Sequence, residues 1–405
     1  MSWEGVTVSQ QRQNFIRDYL AGLYSKVELA QSFSISRKTA YKWINRFQAH
    51  GAPGLEELSR RPHSCPWQTD PSIVQEIRTL REAKPSRGPK KLLRALTKRR
   101  RGVDMPAIST VAHILSREGL VEKPRRFRRA HPGCPKYVPS EPNDAWAADY
   151  KGQFRLKNGQ YCFPLTVSDL YSRYLLGCDA HPAVSLERTI QYFTWLFRTY
   201  GLPNRIRTDN GVPFASCALA RLSHLSAWWI KLGVYPELIE PGKPQQNGIH
   251  ERMHRTLKQE ATIPPANSLP AQQRKFDSFR EEFNTDRPHE ALGQAYPAEV
   301  YSTSPRQMPA RLTTYNYPTH FFVRRVSRCG TIRVLHNQIF VSQVLKEDYV
   351  GLEEVDDGLY DMYFCFYLIG RYELRANRIL DIITKVPTSN RRAEGPNRVS
   401  PMSLE

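Results

Sequence analysis

The chain has 405 residues, of which 40% are hydrophobic and 24% charged, a composition that excludes a largely disordered protein. It carries 59 Lys and Arg against 39 Asp and Glu, and residues 1–142 alone hold 27 basic and 12 acidic side chains. This clustered charge predicts a polyanionic partner that is bound mainly by the N-terminal third. The seven cysteines include no CxxC pair, and the longest apolar stretch is too short to cross a bilayer. We therefore expect a reduced cytoplasmic protein without a disulfide framework or a membrane span.

Residues 1–60 predict short helices separated by small turns. In SRKTAYKWINRFQAHG, Ser36 is the expected N-cap, Gly51 is the expected C-terminal cap, and Ala40, Ile44 and Phe47 recur at helical spacing. The opposite face is basic and rich in hydrogen-bonding groups: Arg37, Lys38, Tyr41, Lys42 and Asn45. A helix that reads the major groove of DNA needs such a face.

This segment resembles the second helix of a helix-turn-helix domain. Ser34 occupies the turn position where that motif most often has glycine. The alternative is a solvated amphipathic helix at the surface.

Residues 70–122 predict a second basic helical module, with Ile73, Ile77 and Leu80 on one face and Ser109 as the cap of a later helix. Its basic segment ends in Arg99 and Arg100. Residues 61–69 and 123–142 read as extended linkers. The second linker is rich in proline and arginine, and three of its arginines are placed to follow a phosphate backbone: Arg125, Arg126 and Arg128.

Residues 143–302 predict a mixed α/β domain. Three strands come first, with a hairpin signal at Asn158-Gly159, and helices and strands alternate after them. Residues 318–385 contain short alternating strands and predict a small antiparallel β-barrel. Residues 386–405 are rich in Ser, Pro, Asn and Arg and predict a disordered tail.

Three acidic residues follow structural signals of this α/β segment. Asp149 lies in the first predicted strand, Asp209 ends RIRTD, and Glu251 begins a helix after a loop rich in Pro, Gln and Asn. With their flanking motifs WAADY, TDNGVPF, PGKPQQNGIHERMHRTLK and NTDRPHEALGQAYPAEVY, these acids resemble the retroviral-integrase-like core of DDE transposases of the insertion-sequence type. The interval between Asp209 and Glu251 is wider than usual for that family, so we expect an extra loop or helix at residues 218–234.

The resemblance implies a multidomain chain with N-terminal all-α helix-turn-helix modules and a central ribonuclease-H-like core. It also implies that the three acids are catalytic and bind two Mg²⁺ or Mn²⁺ ions per active site, Asp149 bridging both ions. Three close carboxylates are unfavourable unless cations lie between them, and hard oxygen ligands select these ions. Two ions can activate a nucleophile and stabilise the leaving oxygen of phosphodiester cleavage.

The partners implied are double-stranded DNA at element ends and targets, and further copies of the chain, at least as a dimer on DNA. The resemblance also places Lys258 on a helix that faces DNA. The implied activity is recognition of terminal inverted repeats, hydrolysis at the element end and strand transfer into target DNA, in a bacterial-type cytoplasm and at the nucleoid when DNA is bound.

Two alternatives remain. The first is a domesticated regulator that binds DNA without catalysis. The second is a zinc peptidase, because His250, Glu251 and His254 spell HExxH. That pattern still requires a third ligand, for which Glu281 and Glu282 are the candidates, and it does not explain the basic N-terminal third. We therefore disfavour the peptidase.

Overall fold

The computed structural model describes residues 7–57, 68–121 and 137–381. The chain divides into two compact units, Met1–Thr69 and Asp70–Glu405. The predicted tail and most of both predicted linkers lie outside the described residues, and the predicted domain boundaries stay predictions. Within the described part of the chain, no helix has both the length and the apolar character that crossing a membrane requires.

The described part of the first unit contains three α-helices, α1 (Val8–Leu20), α2 (Lys26–Ser32) and α3 (Arg37–His50). Ser36 Oγ accepts a hydrogen bond from Thr39 N at 3.2 Å, and Gly51, at a φ of 66°, ends α3. Both predicted caps are confirmed. Ser34 takes the turn before α3 at a φ of 52°, so this left-handed turn forms without glycine. The apolar back of α3 packs into a core of buried residues: Phe15, Ile16, Leu29, Ala30, Ala40, Trp43, Ile44 and Leu55.

The second unit begins with three more helices, α4 (Pro71–Ala83), α5 (Pro89–Arg99) and α6 (Ile108–Arg117). The predicted apolar face of α4 is confirmed, because Ile73, Ile77 and Leu80 are buried. The predicted cap at Ser109 is wrong. Helix α6 begins at Ile108, its N-cap residue is Ala107, and Ser109 already lies inside the first turn, where its side chain cannot cap the helix.

A six-stranded mixed sheet forms the centre of the second unit. Its strands are β1 (Ala145–Tyr150), β2 (Phe154–Arg155), β3 (Tyr161–Asp169), β4 (Leu175–His181), β5 (Arg205–Thr208) and β6 (Tyr235–Leu238). Strand β3 pairs antiparallel with β1, β2 and β4, whereas β1, β5 and β6 are parallel neighbours. The predicted mixed α/β sheet is confirmed, and its parallel part brings the C-terminal ends of β1 and β5 to one edge.

Five helices accompany this sheet: α7 (Leu186–Tyr200), α8 (His224–Lys231), α9 (Gly248–Leu257), α10 (Leu269–Thr285) and α11 (Pro297–Val300). Helix α7 buries Phe193 and Phe197 against a core that includes Trp146 of β1. Helix α8 lies in the long interval between Asp209 and Glu251, where an extra element was expected. A side chain at Gly177 of β4 would clash with Tyr192 Oη, because a Cβ there would lie 2.1 Å from it, so α7 approaches the sheet closely at a glycine.

The second helical module contacts α10 through a buried cation. Arg87 is only 2% exposed and donates hydrogen bonds to Glu282 at 2.9 Å and to Asp286 at 2.8 Å. Lys84 also pairs with Glu282, and the more exposed Lys90 pairs with Glu290. The module is therefore held on the α/β domain by ion pairs of different burial.

The C-terminal strands are β7 (Phe322–Arg325), β8 (Thr331–Val334), β9 (Asn337–Phe340), β10 (Tyr349–Asp356), β11 (Leu359–Phe364), β12 (Tyr367–Glu373) and β13 (Arg378–Asp381). They form an antiparallel sheet in the order β13-β12-β11-β10-β7 and a separate hairpin of β8 with β9. No closed barrel is found among the described strands, because β13 and β7 are the two unpaired edges of the five-stranded order and β8 pairs with β9 alone. Ile332 and Ile339 of the hairpin share an apolar core with the sheet. The same core includes Leu222 and Ile230 of the α/β domain.

Candidate active site

The first two candidate acids lie side by side at the end of the parallel strands. Ala148 of β1 and Thr208 of β5 are paired in the sheet, and Asp149 and Asp209 are the next residue on each strand. The first four residues of β1 are buried, and burial decreases at Asp149 and Tyr150. The strand therefore brings the Asp149 carboxylate from the core to the edge of the sheet.

Glu251 comes from a different element. It lies in the first turn of α9, and α9 contacts β1. Burial is the largest cause that raises the pKa of Asp149, from 3.8 to about 7, followed by the negative charges of Asp209 and Glu251. The negative charges of Asp209 and Glu251 are thus close enough to act on Asp149, and we call these three acids the acidic cluster. Among the described residues, however, neither Asp209 nor Glu251 belongs with Asp149 to a group of three ligand atoms within 4.8 Å of one another.

The turn after β5 fixes the position of Asp209. Gly211 N donates a hydrogen bond to Asp209 Oδ1 at 3.1 Å, and Asn210 Nδ2 donates to the carbonyl of Ile239 at 2.9 Å. Further back on β5, Arg207 forms a buried ion pair with Glu237 of β6 at 2.9 Å. These contacts tie the end of β5 to β6 and support Asp209 from both sides.

Two histidines of α9 lie directly behind Asp149. His250 Nε2 and His254 Nε2 are 2.8 and 2.6 Å from the same hydroxyl, Thr166 Oγ1 of β3, and His250 Nδ1 is 2.9 Å from Ser168 Oγ. His254 Nδ1 lies 3.7 Å from Asp149 Oδ2. Burial is the main cause that lowers the pKa of His250 to about 3 and of His254 to about 2, so both rings are neutral at pH 7.

These histidines provide ligand atoms beside the acidic cluster. Among the described residues, Asp149, His250 and His254 can each bring one such atom within 4.8 Å of the others. The contacts of His254 place it against the first acid, and His250 lies beside it on the same hydroxyl of Thr166. The HExxH spacing was the signal in the sequence, because residues four apart lie on one face of a helix.

The zinc-peptidase alternative loses one candidate for its third ligand. Glu282 is engaged by Lys84 and Arg87 of the second helical module. Glu281 is exposed on α10.

Lysines also lie near the acidic cluster. Lys258 is exposed directly after α9. Burial and the charge of Lys258 lower the pKa of Lys151, and the charge of Asp149 opposes that shift. Lys151 was missed by sequence reasoning because it follows β1 without a distinctive motif.

The candidate DNA-binding residues differ in their exposure and in whether another side chain already pairs with them. Five form an exposed face of α3: Arg37, Lys38, Tyr41, Lys42 and Asn45. Arg99 is exposed at the end of α5, but Arg100 pairs with Glu76 at 2.6 Å and also bonds Ser72. Three further candidates lie outside the described residues: Arg125, Arg126 and Arg128.

Models of known protein families match both the N-terminal helices and the central domain of the chain. The Integrase core domain matches residues 139–244 and, in a second form, residues 232–297. A Helix-turn-helix domain matches residues 11–63, and a Homeodomain-like domain matches residues 39–115. The helix-turn-helix matches support DNA binding, and the Integrase core domain matches lie on the central sheet and the helices that follow it.

Two similar proteins come from bacterial insertion elements. The chain is 29% identical over 169 residues to an uncharacterized 31.7 kDa protein of insertion element IS407 from Burkholderia multivorans, covering 40% of this chain and 56% of that protein. It is 28% identical over 198 residues to an uncharacterized 39.2 kDa protein of IS476 from Xanthomonas euvesicatoria, covering 48% and 55%. The match thus spans about half the length of each relative.

Matches to solved structures, all with low TM-scores, include a viral integrase core and a chain of a viral intasome. The HTLV-2 integrase catalytic core in complex with magnesium is 16% identical, with a TM-score of 0.33, over 40% of this chain and 98% of that one. A chain of the simian T-cell lymphotropic virus intasome with the PP2A subunit B56 gamma is 14% identical, with a TM-score of 0.36, over 72% and 97%.

The family matches and the insertion-element relatives confirm the resemblance expected from the motifs. The chain is similar to these two insertion-element proteins, and its helix-turn-helix matches are followed by matches to the Integrase core domain.

Proposed function

We propose that this protein is a DNA transposase that binds the terminal inverted repeats of a mobile element, hydrolyses a phosphodiester bond at the element end and transfers the freed strand into target DNA. The observation that supports the proposal is the pairing of Ala148 with Thr208 directly before Asp149 and Asp209, together with the effect of the Asp209 and Glu251 charges on the pKa of Asp149. The three acids come from β1, the end of β5 and α9, and about a hundred positions separate the first from the last.

The acidic cluster suits divalent cations. Burial first, and then the charges of Asp209 and Glu251, raise the pKa of Asp149 to about 7, and a bound cation would favour the ionised carboxylates. Oxygen ligands of this kind favour Mg²⁺ or Mn²⁺, and we propose that the three acids hold two ions. When bound, such ions supply charge neutralisation for the in-line displacement at phosphorus.

The rest of the chain positions DNA in this proposal. The exposed face of α3 is suited to the major groove. Lys258, which is exposed and close enough to Lys151 to lower its pKa, is suited to a phosphate near the scissile bond. Cleavage at two element ends calls for at least two copies of the chain. We place the protein in the bacterial cytoplasm, at the nucleoid when it is bound to DNA.

The test is cleavage of duplexes that carry the inverted repeats flanking the gene, with Mg²⁺ and the full-length protein. We expect strand nicking and joining by the wild type, and loss of both in Asp149→Asn, Asp209→Asn and Glu251→Gln. Glu281→Gln, an exposed acid on α10, is the matched control and should keep full activity.

The outcomes separate the proposal from its alternatives. Specific binding of these duplexes without any nicking by the wild type would support the DNA-binding regulator. Nicking that survives in all three acid variants would mean that the cluster is not the catalytic site.

A further inference from the structure

His254 is a buried side chain that faces the first candidate acid. It is 8% exposed and lies one helical turn after Glu251 on α9. Its Nδ1 atom is 3.7 Å from Asp149 Oδ2, which is longer than a hydrogen bond but close enough for both atoms to contact one ion. Cation–ligand bonds of about 2.1 Å on each side fit such a gap.

The hydrogen bonds of Nε2, on the far side of the ring, determine whether the Nδ1 atom of His254 faces Asp149 with a hydrogen or with a lone pair. Thr166 Oγ1 donates to the backbone carbonyl of Asp149 at 3.1 Å, and a hydroxyl has a single hydrogen. The same oxygen lies 2.6 Å from His254 Nε2 and 2.8 Å from His250 Nε2. Both imidazoles therefore donate their Nε2 hydrogen to Thr166, which leaves the Nδ1 atom of His254 with a bare lone pair directed at Asp149.

His250 does not share this role. It is fully buried, and its Nδ1 atom is 2.9 Å from the hydroxyl of Ser168, which can donate to it. His254 has the arrangement typical of histidines that bind metals, in which one ring nitrogen donates to an oxygen and the other is free for the ion. A lone pair opposite a carboxylate is unfavourable unless a cation lies between them.

We propose that His254 Nδ1 is a nitrogen ligand of the divalent ion held by Asp149. The inference rests on the proposed metal site and adds a fourth protein ligand to its three acids. An imidazole ligand raises the affinity of a site for Mn²⁺ and later transition ions more than for Mg²⁺. The site therefore prefers Mn²⁺ to Mg²⁺ by a wider margin than three carboxylates alone would give.

The test is pulsed electron paramagnetic resonance of Mn²⁺ bound to the full-length protein without DNA. We expect a ¹⁴N modulation from a directly bound imidazole, which changes to the ¹⁵N pattern in protein labelled with ¹⁵N-histidine. The modulation should vanish in His254→Asn while Mn²⁺ still binds. In that variant the ratio of Mn²⁺ to Mg²⁺ affinity, measured by competition, should fall about tenfold. His224→Asn, at an exposed position of α8, is the control and should keep the modulation.

The outcomes distinguish this inference from the proposed function. If Mn²⁺ binds the wild type in a manner that Asp149→Asn abolishes, but shows no nitrogen coupling, His254 is not a ligand and the acidic site stands. If coupling persists in His254→Asn, another histidine is responsible and the inference fails. If Mn²⁺ binding does not depend on Asp149, both proposals fail. The labelled wild type supplies an answer even if the variant does not fold.

Discussion

Asp149 is held where its ionisation is unfavourable in the metal-free protein. Burial and the charges of Asp209 and Glu251 raise its pKa from 3.8 to about 7, and only the charge of Lys151 and a backbone hydrogen bond oppose them. The folded state therefore keeps a proton that the unfolded chain releases at lower pH. For such a group, stability is greatest below the unfolded pKa and decreases as pH rises to the folded pKa.

We predict that the metal-free protein loses stability between pH 4 and pH 7 because of this group. The loss attributable to Asp149 is about 4 kcal/mol at most, from the size of the pKa shift. Denaturant unfolding of the wild type and of Asp149→Asn in a chelator should show the difference, with a flatter pH profile in the variant. Equal profiles would contradict the raised pKa. Mg²⁺ at pH 7.5 should raise the melting temperature of the wild type alone.

Thr166 organises the two histidines behind Asp149 through a single hydroxyl. We predict that Thr166→Val, which keeps the shape of the side chain, weakens Mn²⁺ binding by about 10–100-fold because His254 loses its partner. Thr194→Val on α7 removes a hydroxyl that bonds only the carbonyl of Ile190 and serves as the control. Titration calorimetry measures both, and equal affinity for the ion in the two variants would refute the role assigned to Thr166.

At the scale of single elements, α3 has one face that packs in the core and an opposite face that is predicted to contact DNA. Its buried side holds Ala40, Trp43 and Ile44, whereas its candidate recognition residues are exposed. We predict that Lys42→Ala together with Asn45→Ala weakens binding to the element ends at least tenfold without changing the unfolding free energy by more than about 0.5 kcal/mol.

The control for this prediction is Arg17→Ala, which removes the same charge from α1 in the same unit. Fluorescence anisotropy with a labelled duplex measures the binding. If the control weakens binding as much as the α3 variant, the overall charge and not the α3 face is responsible.

The ion pairs between the second helical module and the α/β domain differ in burial. We predict that Arg87→Met costs about 1–3 kcal/mol of unfolding free energy, because it removes the hydrogen bonds that a side chain only 2% exposed makes to Glu282 and Asp286. Lys90→Met breaks a pair whose side chains are 53% and 71% exposed, and it should cost less than about 1 kcal/mol. Equal costs in a denaturant titration would mean that Arg87 does not hold the module.

Much of the fold followed from local sequence patterns. The period of α3 and its caps at Ser36 and Gly51 are local signals, and the structure agrees with them. The cap at Ser109 failed because Ala107, which has no capping side chain, takes that position. The barrel failed because closure depends on whether distant strands pair, and alternation within each strand does not encode this.

The candidate site also contains some residues that the sequence could predict and others that it could not. The three acids could be proposed because each lies in a recognisable motif. The hydroxyl of Thr166 could not be, since it lies in the middle of an ordinary buried strand and acquires its role only when α9 packs beside it. Arg100 was proposed as a DNA contact from its charge alone, but its pairing with Glu76 depends on how α4 and α5 meet.

At the scale of the whole molecule, charge is distributed unevenly along the sequence. Most of the basic excess is in the first 142 residues, whereas residues 143–300 hold 18 basic and 16 acidic side chains. In the transposase proposal, affinity for DNA therefore comes mainly from the N-terminal third. Chemistry comes from a nearly neutral domain, which can approach a phosphate without holding product tightly.

The C-terminal sheet shares its apolar core with the segment between β5 and α8. Leu219, Leu222 and Ile230 lie among the side chains of β10 to β12, so neither part buries its surface alone. Exchange of this sheet between related proteins should therefore give soluble chimaeras only when residues 219–230 are transplanted with it. In evolutionary terms, the two segments form a single heritable block although about a hundred positions of chain lie between them.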